Sequence, residues 1–267
     1  MNYNEHFQGG ETPRNRFEEL LHEHGASSLF LVGTILLIGG GVITALSMGV
    51  FGVATLLTLI LPAIALIMTY SICKNKKPMQ SMTTPLTLVK VDVILSLVYL
   101  GLAFIGGLAI IGVVGYVIDS IMFVPDMDLI VGVMAVAFVI TYAIILVPLI
   151  IFYYVPLLRI LADIRAGALT GHATWGRIRG VLPFSVMIYI LAGLTLLAVF
   201  SNLGSMAAMQ SIANELYMLE LIGLDWMFFM FDPTFIILSS LGGIAQGLGM
   251  ILLVVVLGKF NKAVMLG

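Results

Sequence analysis

The residues of this chain that could do chemistry in an apolar setting lie along one face of a helix that begins near Pro85. Asp92, Ser96 and Tyr99 are four and three residues apart, so an α-helix places them on the same side. Lys90 points away from them, because two residues turn a helix by about 200°. A carboxylate in a membrane usually marks an ion or substrate path. The alternative is an interfacial residue that hydrogen-bonds a neighbouring helix, and both interpretations stay open.

Two further apolar stretches carry hydroxyl and amide groups. Thr58 belongs to a stripe of small and hydroxyl residues, and Ser239 and Gln246 share one face of the last stretch. Such residues let helices approach closely in lipid and hydrogen-bond across the gap. The alternative is a polar cavity, for which Gln246 is the strongest single indicator, because an amide near mid-membrane needs a partner. The residues of the candidate polar cavity are Asp92, Ser96, Tyr99, Thr58, Ser239 and Gln246.

The sequence does not have the residue sets of a catalytic centre or a metal site. The apolar stretches contain no histidine, and the GxxxxGK[ST], GxSxG and HExxH motifs are missing from the chain. His22 and His24 fall on different faces of a helix, and Cys73 is a single thiol. We therefore predict no catalytic residue, no metal, no cofactor and no enzyme activity.

The composition is that of a chain with lipid as its main solvent. Of the 267 residues, 61% are hydrophobic and 10% are charged, and the mean hydropathy is +1.15. A soluble domain has about 25% charged residues, so this chain could not cover a water-facing surface. The lipid bilayer is its predicted partner. The formal net charge of -2 predicts no nucleic-acid partner.

Six apolar stretches predict an all-α, polytopic transmembrane helical bundle. When they are threaded alternately, all 12 Lys and Arg residues fall on one side, and the third and fifth loops carry only acidic charges. Basic residues near span ends stay in the cytoplasm, so both termini are predicted to be cytoplasmic. The predicted parts are a tail at 1–26, a transmembrane domain at 27–260 with spans at 27–48, 51–73, 85–118, 129–158, 181–202 and 233–258, and a tail at 261–267.

Segments outside the spans are predicted to be partly helical. Pro13 and Gly25 bound a short amphipathic helix that would lie on the cytoplasmic interface. Arg159 and Asp163 have the spacing of an i,i+4 ion pair in a helix that projects beyond the fourth span. The long fifth loop, 204–231, should begin as an amphipathic helix and continue into an interfacial aromatic segment.

The N-terminal part of the chain has a recognisable pattern. Phe17-Glu-Glu-Leu-Leu leads into a span that opens with two serines, and Met82-Thr-Thr-Pro-Leu-Thr-Leu-Val-Lys-Val opens the third span. Residues 28–99 with these motifs resemble bacterial polytopic integral membrane proteins for which no activity is established. The resemblance implies the bacterial inner (cytoplasmic) membrane and supplies no functional residue.

Two functions are compatible with these features. A transport-related, permease-like component would use the polar stripes, and would dock a cytoplasmic or membrane protein partner through loops 74–84 and 159–180. A non-transporting scaffold, assembly or stress-response protein would explain the lack of charge within the spans. A water-accessible cavity that reaches Asp92, Tyr99 or Gln246 favours the first function, and solid packing there favours the second. Transport is the function that we expect.

Overall fold

The protein is helical throughout the part of the chain that the structure describes. The structure is a computed structural model, and it describes residues 13–48, 52–122, 127–171, 175–215 and 233–266. No strand occurs among these residues, which confirms the all-α prediction for them. The helices are α1 (Pro13–Gly25), α2 (Ser28–Ser47), α3 (Gly52–Lys74), α4 (Thr83–Met122), α5 (Met127–Leu149), α6 (Val155–Thr170), α7 (Val181–Glu215) and α8 (Pro233–Leu266). A 3-10 turn, Met79–Met82, precedes α4, and a π-helical turn, Ile150–Tyr154, joins α5 to α6.

The described residues include six segments that are long and apolar enough to cross a membrane, as expected of a multi-pass membrane protein. They are Ser28–Ser47, Thr55–Lys74, Met79–Val117, Leu129–Thr170, Val181–Ser201 and Thr234–Leu266.

Several helices run beyond the predicted spans. The fourth segment continues through the π-helical turn to Thr170, and α7 continues to Glu215. The amphipathic helix predicted at the start of the 204–231 loop is therefore, over its described part, the end of α7. The aromatic segment predicted after it lies outside the described residues.

The spans form a ring of neighbours. Each span packs against the next one in the sequence, and α8 returns to pack along α2. The backbones of α2 and α8 come into direct contact. A Cβ added at Gly40 would lie 2.5 Å from the backbone nitrogen of Gln246 and 2.6 Å from the carbonyl oxygen of Gly242. Since real Cβ atoms do not come that close, glycine is what allows these two backbones to touch.

A buried apolar core lies at the end of the bundle that carries most of the described lysines and arginines. We call this end of the bundle the basic end. It is formed by α1, the end of α3, the Met79–Met82 turn, the start of α4, α6, residues 175–181 and the last turns of α8. Its buried members are Phe17, Leu21, Ile72, Cys73, Met79, Met82, Leu86, Ile160, Ala168, Ile178, Val181 and Phe260.

From the sequence we expected the apolar face of α1 to lie on the membrane interface. Instead, this face packs into the core at the basic end. Phe17 is 4% exposed, and its ring packs edge-on against Phe260 at a centroid distance of 5.6 Å. Gly167 of α6 leaves the room that the Phe17 ring occupies. The Ser27 hydroxyl donates to the carbonyl of His24 and accepts from the amide of Phe30, which fixes the junction between α1 and α2.

The middle of α4 and nearly the whole of α5 are packed much more thinly. No residue in 94–114 and none in 129–155 is buried. The two helices hold each other through the stacked rings of Phe104 and Phe138, whose centroids are 5.9 Å apart, and through the Tyr142 hydroxyl, which donates to the carbonyl of Leu100. Their other surface is apolar and exposed, as contact with lipid requires.

Candidate functional site

A cleft of about 540 Å³ opens between α3, α4 and the π-helical turn, and we call it the α3–α4 cleft. Several of the side chains around it remain exposed, Tyr99 by 58%, so the cleft is open at its side. Its lining residues are Leu57, Thr58, Leu61, Asp92, Leu95, Ser96, Val98, Tyr99, Leu100, Leu102 and Tyr154.

Four of the six residues predicted from the sequence meet in this cleft. Asp92, Ser96 and Tyr99 face it from α4, and Thr58 faces it from α3. The helical spacing of the α4 residues places them in one row, and the packing of α3 against α4 brings Thr58 opposite. The cleft thus combines the polar stripes of two spans, while their role in binding stays a prediction.

Ser239 and Gln246 lie elsewhere in the described bundle. They belong to α8, which packs against α2, α7 and α1, and neither residue lines the α3–α4 cleft. The backbone of Gln246 rests on α2 at Gly40. A sequence period assigns a residue to a face of its own helix, but it does not say which helix covers that face.

Sequence reasoning missed one polar residue of the cleft, Tyr154. The π-helical turn that follows Pro148 inserts an extra residue into the helical period, so a face extrapolated from α5 is rotated when it reaches Tyr154. The signal that could have revealed it is the pair of prolines, Pro148 and Pro156, which bracket the turn.

Asp92 gives the cleft its charge. It is half-buried, and of the described residues that line the cleft it is the only charged one. In the part of the chain that the structure covers, no basic side chain forms an ion pair with it. Its carboxylate lies near the phenol groups of Tyr153 and Tyr154. The cleft therefore offers a ligand one negative charge beside aromatic rings, with leucine and valine side chains around the rest.

Comparisons with protein-family models, with curated proteins and with solved structures gave no match. Function is therefore inferred from the chemistry of the cleft and of the basic end.

The basic end contains a second polar group, centred on Asp163. The guanidinium of Arg179 donates to both carboxylate oxygens, at 2.8 and 3.1 Å, and the backbone amide of Arg179 donates to the same carboxylate at 2.8 Å. These bonds raise the pKa of Arg179 further above its ordinary value. The ring of Trp175 covers the guanidinium at 4.7 Å.

The predicted pair between Arg159 and Asp163 is therefore wrong. Arg159 is exposed on α6, whereas Arg179 supplies a planar fork that matches both oxygens of the carboxylate. Gly180 holds Arg179 in place, because its φ of +85° and its contact with Pro156 leave no room for a side chain. This group fastens the loop before α7 to α6, which is a structural role.

We predict that Arg179→Ala lowers the melting temperature more than Asp163→Ala does. Asp163 is buried and Arg179 is half-exposed. Arg179→Ala therefore leaves a buried carboxylate without its cation, whereas Asp163→Ala leaves a cation that water can reach. The double variant should be more stable than Arg179→Ala alone. Thermal unfolding in detergent measures the three midpoints, and Arg159→Ala is the control. Equal midpoints for the two single variants would contradict this account.

The described residues contain no group of three or more His, Cys, Asp or Glu side chains that could hold a metal ion. His22 approaches Glu18 at 3.6 Å, while His24 bonds to the backbone carbonyl of Leu20, so the two imidazoles serve separate contacts. Cys73 is buried beneath Gly25 of α1.

Proposed function

We propose that this protein is a transport-related, permease-like membrane component whose substrate occupies the α3–α4 cleft. The observation that carries the proposal is the meeting of Thr58 of α3 with Asp92, Ser96 and Tyr99 of α4 around an open volume of about 540 Å³. Small polar residues that serve helix packing would face each other across a closed seam. Here Thr58 and Tyr99 are exposed towards open space, and that space is of the size that small-molecule sites have.

The surroundings of the cleft suit an amphiphilic substrate. Most of its lining is leucine and valine, and the polar groups come from few positions. That division is typical of ligand pockets, where apolar side chains supply affinity and a few polar groups fix orientation. The π-helical turn that carries Tyr154 is a further feature common at functional sites.

The proposal includes a place and an orientation in the cell. We place the basic end in the cytoplasm, because it collects the lysines and arginines near the span ends, and we place the protein in a bacterial inner membrane. Loops 74–84 and 159–180 would contact a cytoplasmic or membrane protein partner from this end. The Met79–Met82 turn of the first loop packs against α6, so the two loops present one joint surface. Catalysis and nucleic-acid binding are not part of the proposal.

A second function is favoured by the packing of α8. Its direct backbone contact with α2 and the core at the basic end are features of a rigid, non-transporting scaffold or assembly protein. Gln246, expected to be the best indicator of a cavity, lies on this packed helix. The two functions differ in whether water reaches the α3–α4 cleft.

We expect Thr58→Cys to react with a membrane-impermeant thiol reagent, in a Cys73→Ser background, while Ala65→Cys does not. Both positions lie on α3 two turns apart, but Thr58 lines the cleft and Ala65 is 1% exposed. Labelling in intact cells and in inverted vesicles, followed by mass spectrometry, measures both. A cleft that conducts a substrate must admit water in some state, so labelling is the direct readout of the transport proposal.

Two exposed positions report the orientation in the same experiment. Leu169→Cys lies at the basic end and Ser120→Cys lies near the far end of α4, so the first should react only from the cytoplasm and the second only from outside. If both controls react from their expected sides while Thr58→Cys stays silent, the cleft is dry and the scaffold function replaces transport.

A further inference from the structure

We infer that the α3–α4 cleft selects a lipophilic monocation, an apolar body with one positive charge, and that Asp92 is its counter-ion. This inference rests on the proposed function, because it names the substrate class of the same cleft.

The negative charge of the cleft is not balanced by a described residue of its lining. Asp92 lies on an apolar span, is half-buried, and has no ion-pair partner among the described residues. A carboxylate in a low-dielectric site is costly unless an opposite charge faces it. Lys90 is exposed on the other side of α4 and does not line the cleft. A cationic ligand would supply the opposite charge that the described chain does not.

Aromatic and aliphatic side chains line the cleft beside Asp92. Tyr99 and Tyr154 place aromatic rings on the cleft, and rings of this kind attract cations over their faces. The rest of the lining includes Leu57, Leu61 and Leu95, which would contact the apolar body of the ligand. An anionic amphiphile would meet the same apolar surface, but it would be repelled by Asp92.

A small hard cation fits these residues poorly. Ca²⁺ takes roughly six to eight oxygen ligands, and Mg²⁺ demands a near-ideal octahedron. The described lining offers one carboxylate and the hydroxyls of Ser96, Thr58 and the tyrosines, set among aliphatic side chains. An apolar monocation needs only the one charge and the rings.

Two kinds of molecule carry this chemistry: a free lipophilic amine or phosphonium, and a lipid with an ammonium headgroup. The test uses the full-length protein in dodecyl maltoside, which has no charge, and two probes of nearly the same shape and opposite charge. These are tetraphenylphosphonium and tetraphenylborate, and their binding is measured by equilibrium dialysis.

We expect Asp92→Asn to weaken tetraphenylphosphonium binding by about tenfold or more, because it removes the charge and keeps the shape. Binding of tetraphenylborate should stay unchanged or become tighter. Asp92→Glu should keep most of the affinity for the cation. Lys90→Gln is the control on the same helix, and it should leave both probes unaffected because its side chain is outside the cleft.

Equal affinity of wild type and Asp92→Asn for the cation overturns the inference, as does tighter binding of the borate than of the phosphonium by wild type. If neither probe binds while Thr58→Cys still labels, the cation inference fails and the transport proposal stands. If Thr58→Cys is silent as well, the proposed function fails with it. Where the cation binds, competition by phosphatidylethanolamine but not by phosphatidylglycerol identifies a lipid headgroup as the source of the charge. The lack of such competition identifies a free cation.

Discussion

Gly40→Leu is expected to prevent α2 and α8 from packing and to remove about 3 kcal/mol from the free energy of unfolding. The added side chain would begin 2.5 Å from the backbone nitrogen of Gln246. Backbone cannot turn aside as a flexible side chain can, so the helices must separate. Their separation would also open the opposite contact, where a Cβ at Gly242 would lie 2.5 Å from the Thr44 hydroxyl.

Gly39→Leu is the matched control, because it makes the same change one residue away. A Cβ at Gly39 meets nothing within 4 Å, so leucine there adds only helix propensity and apolar surface. The measurement is the midpoint of unfolding by sodium dodecyl sulfate added to protein in a mild detergent. Gly40→Ala provides a milder variant if the leucine variant is not recovered. Equal midpoints for Gly40→Leu and Gly39→Leu would show that α2 and α8 do not touch at this position.

Phe17→Ala is expected to release α1 from the bundle. The Phe17 ring fills the space above Gly167 and packs on Phe260, and its removal should cost about 3–5 kcal/mol of docking free energy. The helix is short and would fray once undocked. Hydrogen–deuterium exchange of the α1 peptide should then approach the rate of an unstructured chain, while peptides of α2 and α8 keep their protection.

The control for this variant is Glu19→Ala on the same helix, since Glu19 is exposed. Its exchange should match that of wild type. Protection of α1 that survives Phe17→Ala in lipid vesicles but is lost in detergent would mean that the membrane surface holds the helix, as the sequence first suggested. Protection that survives in both would rule out Phe17 as its anchor.

The spans were predictable because their signal is local. A run of apolar residues long enough to cross a bilayer has few alternatives to a helix, and Pro13 and Gly25 marked helix ends that the structure also has. The face of α4 that holds Asp92, Ser96 and Tyr99 was predictable for the same reason, since the helical period alone decides it.

What the sequence could not supply was the pairing between distant segments. Arg159 is the neighbour of Asp163 along the helix, but Arg179 reaches it after a loop, with a better match of donors to the carboxylate. Gln246 looked like a cavity residue because its side chain is polar, but packing against α2 decided where α8 sits. Tyr154 was hidden because the π-helical turn shifts the period. The outcomes for Arg159 and Gln246 depend on geometry between elements, and the outcome for Tyr154 depends on a local change of the helical period.

The uneven packing of the bundle has a thermodynamic consequence. The basic end holds a buried core, whereas 94–114 and 129–155 contain no buried residue. Regions with few buried contacts open at lower free energy than a packed core does, so unfolding need not be a single cooperative event. An unfolding temperature measured with a spectroscopic probe would therefore report only on the end of the bundle in which that probe lies. The α4–α5 hairpin would owe its order to the lipid around it, and the basic end to its own side chains.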